Sequence, residues 1–122
     1  MIKKNDIVYI AGPMTGRALY NHPKFFGIAG IVEKTYGCKV LNPARQPLGL
    51  LYAEYMELAQ KDLRRATVVV MLTGWKNSRG ARAEFLEAIR HNLRIIDEAS
   101  LLTDIVKHMT VEECDATSAR RK

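Results

Sequence analysis

Val68-Val-Val-Met-Leu-Thr-Gly-Trp-Lys-Asn-Ser-Arg-Gly-Ala-Arg-Ala-Glu84 runs five apolar residues into Thr73-Gly74, then a small-residue loop, then a stretch carrying one carboxylate. An unbroken apolar run rich in valine reads as a central strand of a parallel sheet, buried on both faces. Ligands of open α/β sheets sit just beyond the carboxyl ends of such strands. Ser78 and Gly80 fall where a helix start would cradle a phosphate or sugar, and Glu84 follows within the first two turns of that helix.

The flanking sequence repeats the same alternation. Ile7 to Ala11 is a short β-branched run ended by Gly12-Pro13, so it predicts the first strand, with a loop from Met14 to Tyr20. Asn21 is placed to cap a helix with Pro23 in its first turn. Phe25, Ile28, Ala29, Val32 and Tyr36 recur at helical spacing until Gly37. Cys38 to Leu41 predicts a second strand, and the two prolines of Asn42-Pro-Ala-Arg-Gln-Pro47 predict a loop. A second helix spans about 50–65, the third strand Thr67 to Leu72, a third helix about 79–91, and a fourth strand Leu93 to Ile96. Ser100 is placed to cap a last short helix. The order βαβαβαβα predicts a flavodoxin-like or Rossmann-like three-layer sandwich with a four- to five-stranded parallel sheet. Its loops at 12–20, 42–49 and 73–79 would open on one edge. One domain over 1–110 is expected, with 111–122 a flexible polar tail.

With 48% hydrophobic and 26% charged residues, the 122-residue chain has the composition of a globular domain. No apolar run approaches the ~20 residues that span a bilayer, and the polar start lacks the apolar core of a signal peptide. A cytoplasmic location without membrane contact is therefore expected. Cys38 and Cys114 are far apart and no Cys/His cluster has metal spacing, so neither a disulfide, a metal nor a cofactor is expected. The formal charge is +6, and it resides in the body, because Arg120, Arg121 and Lys122 are balanced by Glu112, Glu113 and Asp115. That excess suits a phosphate-bearing small molecule. Nucleic acid is a weaker fit, since basic and aromatic residues are not interleaved.

Several constellations bear on chemistry, each with a plainer alternative. Gly12 to Arg17 lacks the GxGxxG spacing of a dinucleotide site and is not a Walker loop. Its amides near Gly12 and Gly16, with Arg17, suit an anion, and an ordinary Gly/Pro turn suits them equally. Glu84 could attack an anomeric carbon, with the field of the helix start keeping it ionised, or be an exposed helix glutamate. Ala81 and Ala83 beside it suggest close packing. Asp62 falls on or beside an apolar helix face, where it could assist a departing base or pair with Arg65. Tyr9, Tyr52 and Trp75 could stack on a base or serve as packing. His22, His91 and His108 show no catalytic arrangement and read as surface or helix-end residues.

Taken together, Tyr9-Ile-Ala-Gly-Pro-Met-Thr-Gly16, the Asn21 and Phe25 pair, Asn42-Pro43, Asp62-Leu63, and Gly74-Trp75 followed by Ser78-Arg-Gly-Ala-Arg-Ala-Glu84 resemble the nucleoside 2-deoxyribosyltransferase-like family. The small phage and bacterial members and the related 2′-deoxynucleoside 5′-phosphate N-hydrolases look closest, over roughly residues 7–97. The resemblance implies cleavage of the N-glycosidic bond of a nucleoside or nucleoside 5′-monophosphate, with transfer of the sugar to another base or to water. It implies Glu84 as nucleophile, Asp62 as the acid assisting the base, and Ser78 and Gly80 at the 5′ group. Gly12, Pro13, Met14, Gly16 and Arg17 would surround the sugar and phosphate, with Tyr9, Asn42 and Trp75 nearby. A homodimer or larger assembly is also implied. Arg79 and Arg82 favour a phosphorylated substrate over a free nucleoside.

Overall fold

The predicted strands form a single parallel sheet in the computed structural model, which describes residues 1–109. The polar tail at 111–122 and Cys114 lie outside the described residues. The elements are β1 (Ile7–Ala11), α1 (His22–Tyr36), β2 (Lys39–Leu41), α2 (Tyr52–Leu63), β3 (Val68–Met71), α3 (Arg79–Arg90), β4 (Arg94–Asp97) and α4 (Glu98–His108). The strand order is β2-β1-β3-β4. The chain steps outward from β1 to β2, then returns past β1 to β3. The carboxyl ends of β1 and β3 thus flank the point where the winding direction reverses, which is where flavodoxin-like sheets hold ligands.

The residues explain the layers. Pleating sends alternate side chains to opposite faces. Val8, Ile10, Val68, Val70 and Ile96 meet α1 and α4, whereas Tyr9, Ala11, Val69 and Met71 meet α2 and α3. Because β3 is central and covered on both sides, each of its four residues is buried, and this is why its sequence does not alternate. The α1 stripe of Phe25, Ile28, Ala29, Val32 and Tyr36 is buried as its spacing predicts, and Gly37 ends the helix at φ 64°. In this position glycine takes the left-handed conformation without a Cβ penalty.

Two caps differ from expectation. Asn21 itself lies at φ 60°, and its Nδ2 donates to the Pro13 carbonyl at 2.9 Å rather than its side chain capping α1. Asp97, not Ser100, caps α4: its Oδ1 accepts the Ser100 amide at 2.8 Å, so the helix starts two residues earlier. Aspartate is an equally good cap and lies at the third position before that amide, the spacing a cap requires.

Gly12 joins sheet and site. A Cβ added there would lie 2.7 Å from the Leu72 Cβ, where β1 and β3 deliver their loops side by side. Neither strand can retreat, since the Leu72 amide donates to the Ala11 carbonyl at 2.8 Å. Gly12→Ala is expected to cost about 1–3 kcal/mol through overpacking. A urea titration measures it, and an unchanged midpoint would show that the strands yield.

Candidate active site

Beyond the carboxyl ends of β1 and β3 lies a cleft of about 700 Å³, within the usual range for small-molecule sites. The first loop contributes Gly12, Met14 and Thr15, the second Pro43 and Gln46 to Leu50, and the third Asn77 and Ser78. These are the three loops that topology was expected to gather. Of the residues singled out in the sequence, Gly12, Met14, Ser78, Gly80 and Glu84 line this space.

Glu84 sits in the buried stripe of α3, between Ala81 and Ala88, and is only 2% exposed. The small alanines let α3 approach the sheet closely enough to bring its carboxylate to the cleft floor. The Tyr9 hydroxyl, wholly buried on β1, donates to Glu84 Oε2. Burial pushes the Glu84 carboxyl up to about 8, against the opposing pull of Tyr9, whose hydrogen bond favours the charged form. The expectation that the helix field keeps it ionised is thereby corrected. Glu84 lies in the second turn, past the free amides where that field is strong, and desolvation outweighs it. Burial and the Glu84 charge in turn hold Tyr9 well above the usual tyrosine range.

The start of α3 shapes one wall. Ser78 Oγ accepts the Ala81 amide at 3.2 Å, making it a cap as well as a cleft residue. The amides of Arg79 and Gly80 then face outward without helical partners, and no acidic residue occupies the first turn. The Arg79 guanidinium lies 4.1 Å from the centre of the Tyr52 ring, so the starts of α2 and α3 meet through a cation–π contact. At the mouth stand Tyr20 and His22, their rings 6.1 Å apart. Leu19, Tyr20 and Asn21 form a left-handed run at φ 51°, 53° and 60°, a conformation costing roughly 1–2 kcal/mol per non-glycine residue.

Comparison with known proteins now has a geometry to attach to. The family described as a domain of unknown function (DUF4406) matches residues 6–97. The chain belongs to that family. Its description names no activity. No curated protein matches the chain. Among solved structures, the C-terminal domain of a hydrogenase from Pyrococcus furiosus is similar over 80% of this chain and 93% of that one. It is 13% identical, with a TM-score of 0.38.

In this DUF4406 chain several expected site residues stand apart from the cleft wall. Asp62 lies seven residues beyond Tyr55, two turns or about 10 Å along α2, and pairs with Arg65 at 3.5 Å. Its charge is felt at Tyr9, but it does not reach the lining, and the plainer of its two readings describes its contacts. Trp75 stacks on Phe85 at 4.7 Å, which makes it packing between the third loop and α3. Asn42 is buried, with Oδ1 accepting the Ala44 amide at 2.9 Å and Nδ2 unpartnered among the described residues. It braces the second loop from beneath. Pro13 serves through its carbonyl, Gly16 turns the first loop at φ 82°, and Arg17 lies against Gly74.

Sequence reading missed other contributors. Tyr55, Thr15, Tyr20 and His22 line the cleft, and His22 was read only as a surface or helix-end residue. Glu98 is buried at the start of α4, accepts the Thr73 amide at 2.9 Å and pairs with Lys24, anchoring the third loop where it leaves β3. Burial acts to raise its carboxyl, but Lys24 and Thr73 outweigh that and hold it below the ordinary value. Among the described residues no three His, Cys, Asp or Glu side chains are grouped to hold a metal ion, and no helix is long and apolar enough to cross a membrane.

Proposed function

We propose that this chain is an N-glycosidase of nucleoside 5′-monophosphates, with Glu84 attacking C1′ of the sugar. The observation that carries the reading is a single carboxylate, buried on the floor of a nucleotide-sized cleft and held by a tyrosine from the neighbouring strand. Glycosidases that break O-glycosidic bonds commonly need two carboxylates, one protonating an alkoxide leaving group. A purine or pyrimidine anion is a much weaker base than an alkoxide, so its departure asks less of an acid. One carboxylate therefore suits an N-glycosidic bond.

In the proposed reaction a Glu84 oxygen bonds to C1′, the bond from C1′ to the base breaks, and its electron pair leaves with the base. Water then attacks C1′, the sugar 5-phosphate departs, and the carboxylate is restored. The amides of Arg79 and Gly80, the Arg79 guanidinium and the +6 charge favour a phosphate at the start of α3. Deoxyribose is the sugar the sequence resemblance points to. With the reading go a cytoplasmic setting, that of a host cell where the chain is phage-encoded, and a homodimer or larger assembly, which light scattering would test.

Chromatography of a panel of nucleoside and deoxynucleoside monophosphates for released base is the test. Release by wild type and its loss in Glu84→Ala are expected. Equal slow release by both would sink the proposal. Adding a free acceptor base discriminates transfer, since a new nucleotide at the expense of hydrolysis would make the chain a deoxyribosyltransferase. Nucleotide binding without turnover would make it a non-catalytic binder.

A further inference from the structure

As C1′ is attacked, negative charge builds on the departing base, and the site must offer it a donor. Asp62 stands off the wall, and Tyr9, buried beneath Glu84, already donates to that carboxylate. Ser78 is engaged as the α3 cap, the Tyr52 ring carries the Arg79 guanidinium, and Tyr20 lies 54% exposed at the mouth. Tyr55 is left. It is half-buried on α2 and lines the same cleft as Glu84, and its hydroxyl meets only Met14 Sδ, at 3.6 Å. Thioether sulfur is a weak acceptor, so this O–H is close to uncommitted.

We propose that the Tyr55 hydroxyl is the hydrogen-bond donor to the departing base, a catalytic role that rests on the N-glycosidase reading above. Met14 parks the hydroxyl at the wall until a base nitrogen or oxygen, a far better acceptor, replaces the sulfur. Burial and the negative charge of Glu84 hold Tyr55 far above the usual tyrosine range. The phenol therefore keeps its proton and acts as a fixed dipole toward developing charge, as donors in oxyanion holes do. The base leaves with the electron pair of the broken bond as an anion, hydrogen-bonded by Tyr55, and takes its proton from water once released. Glu84 meanwhile holds the sugar as an ester until water hydrolyses it.

The test compares the purine deoxynucleotide turned over fastest with its N7-methyl derivative, whose cationic base departs neutral and needs no donor. For a pyrimidine, the 5-fluoro derivative, with its better leaving group, serves. Tyr55→Phe should lower kcat on the unmodified nucleotide at least about 100-fold while leaving the activated one nearly untouched. Tyr9→Phe, acting through Glu84, should slow both alike and is the contrast. Loss on both substrates from Tyr55→Phe, or on neither, overturns the role of Tyr55 while leaving Glu84 as nucleophile. Full turnover by Glu84→Gln overturns the glycosidase reading itself, and the inference falls with it.

Discussion

Glu84→Gln is expected to reduce base release by at least about 10³-fold with the fold intact, because it removes the attacking atom and little else. The amide matches the carboxyl in shape, and its carbonyl oxygen can still accept the Tyr9 hydrogen bond. It lacks the anionic oxygen that must bond to C1′. Only ionised Glu84 can attack. With the free carboxyl pushed up to about 8, wild-type kcat/KM should climb with pH through neutrality and level off just above pH 8. A profile of kcat/KM from pH 5.5 to 9.5 on the best nucleotide tests this. Turnover in the variant within tenfold of wild type, or a rate that falls as pH rises from 6 to 8, would remove Glu84 from the chemistry.

How far this site was legible depends on whether its parts speak through local pattern or through tertiary adjacency. The β3 valines announce a central strand because burial on both faces forbids alternation, and the loop after it follows from topology. Glu84 was legible as chemistry, since Ala81 and Ala83 hinted at close packing, but its depth was not. A helical periodicity shows which face a residue shares, not how near the sheet comes, and that nearness decides whether desolvation or the helix field controls the carboxyl. Tyr55 and Arg79 needed the adjacency of α2 and α3, which no spacing within either helix encodes. Trp75 misled for the converse reason. An aromatic in a ligand-edge loop looks the same in sequence whether it faces the cleft or stacks on Phe85 ten residues later. Asp62 sits on the same stripe as Tyr55, so its face was read correctly. Its position along the helix axis, two turns from the cleft, is what separates it from the wall.

Stability should also carry the signature of Glu84, and with an unusual sign. In the folded chain burial raises its carboxyl from the ordinary 4.5 to about 8, whereas the unfolded chain ionises it normally. Between those values the folded state holds a proton that the unfolded state has lost, so stability falls as pH rises through the window and levels off above it. The gap corresponds to on the order of 4 kcal/mol. Asp6 and Glu98 act oppositely. Burial tends to raise each, but Arg94 with Lys3 and Thr67, and Lys24 with Thr73, hold them below their ordinary values. Their stabilisation is present above those values and lost only as pH falls further, outside the Glu84 window. Urea titrations of wild type and Glu84→Gln at pH 5, 6.5 and 8 isolate the effect, because contributions of other groups cancel in the difference. The two should be close at pH 5, with the variant ahead by several kcal/mol at pH 8; parallel curves would mean that Glu84 ionises freely in the fold. A carboxylate kept where it weakens the protein at neutral pH is what a nucleophile needs, since ligand binding and attack can recover in the transition state the solvation that folding withheld.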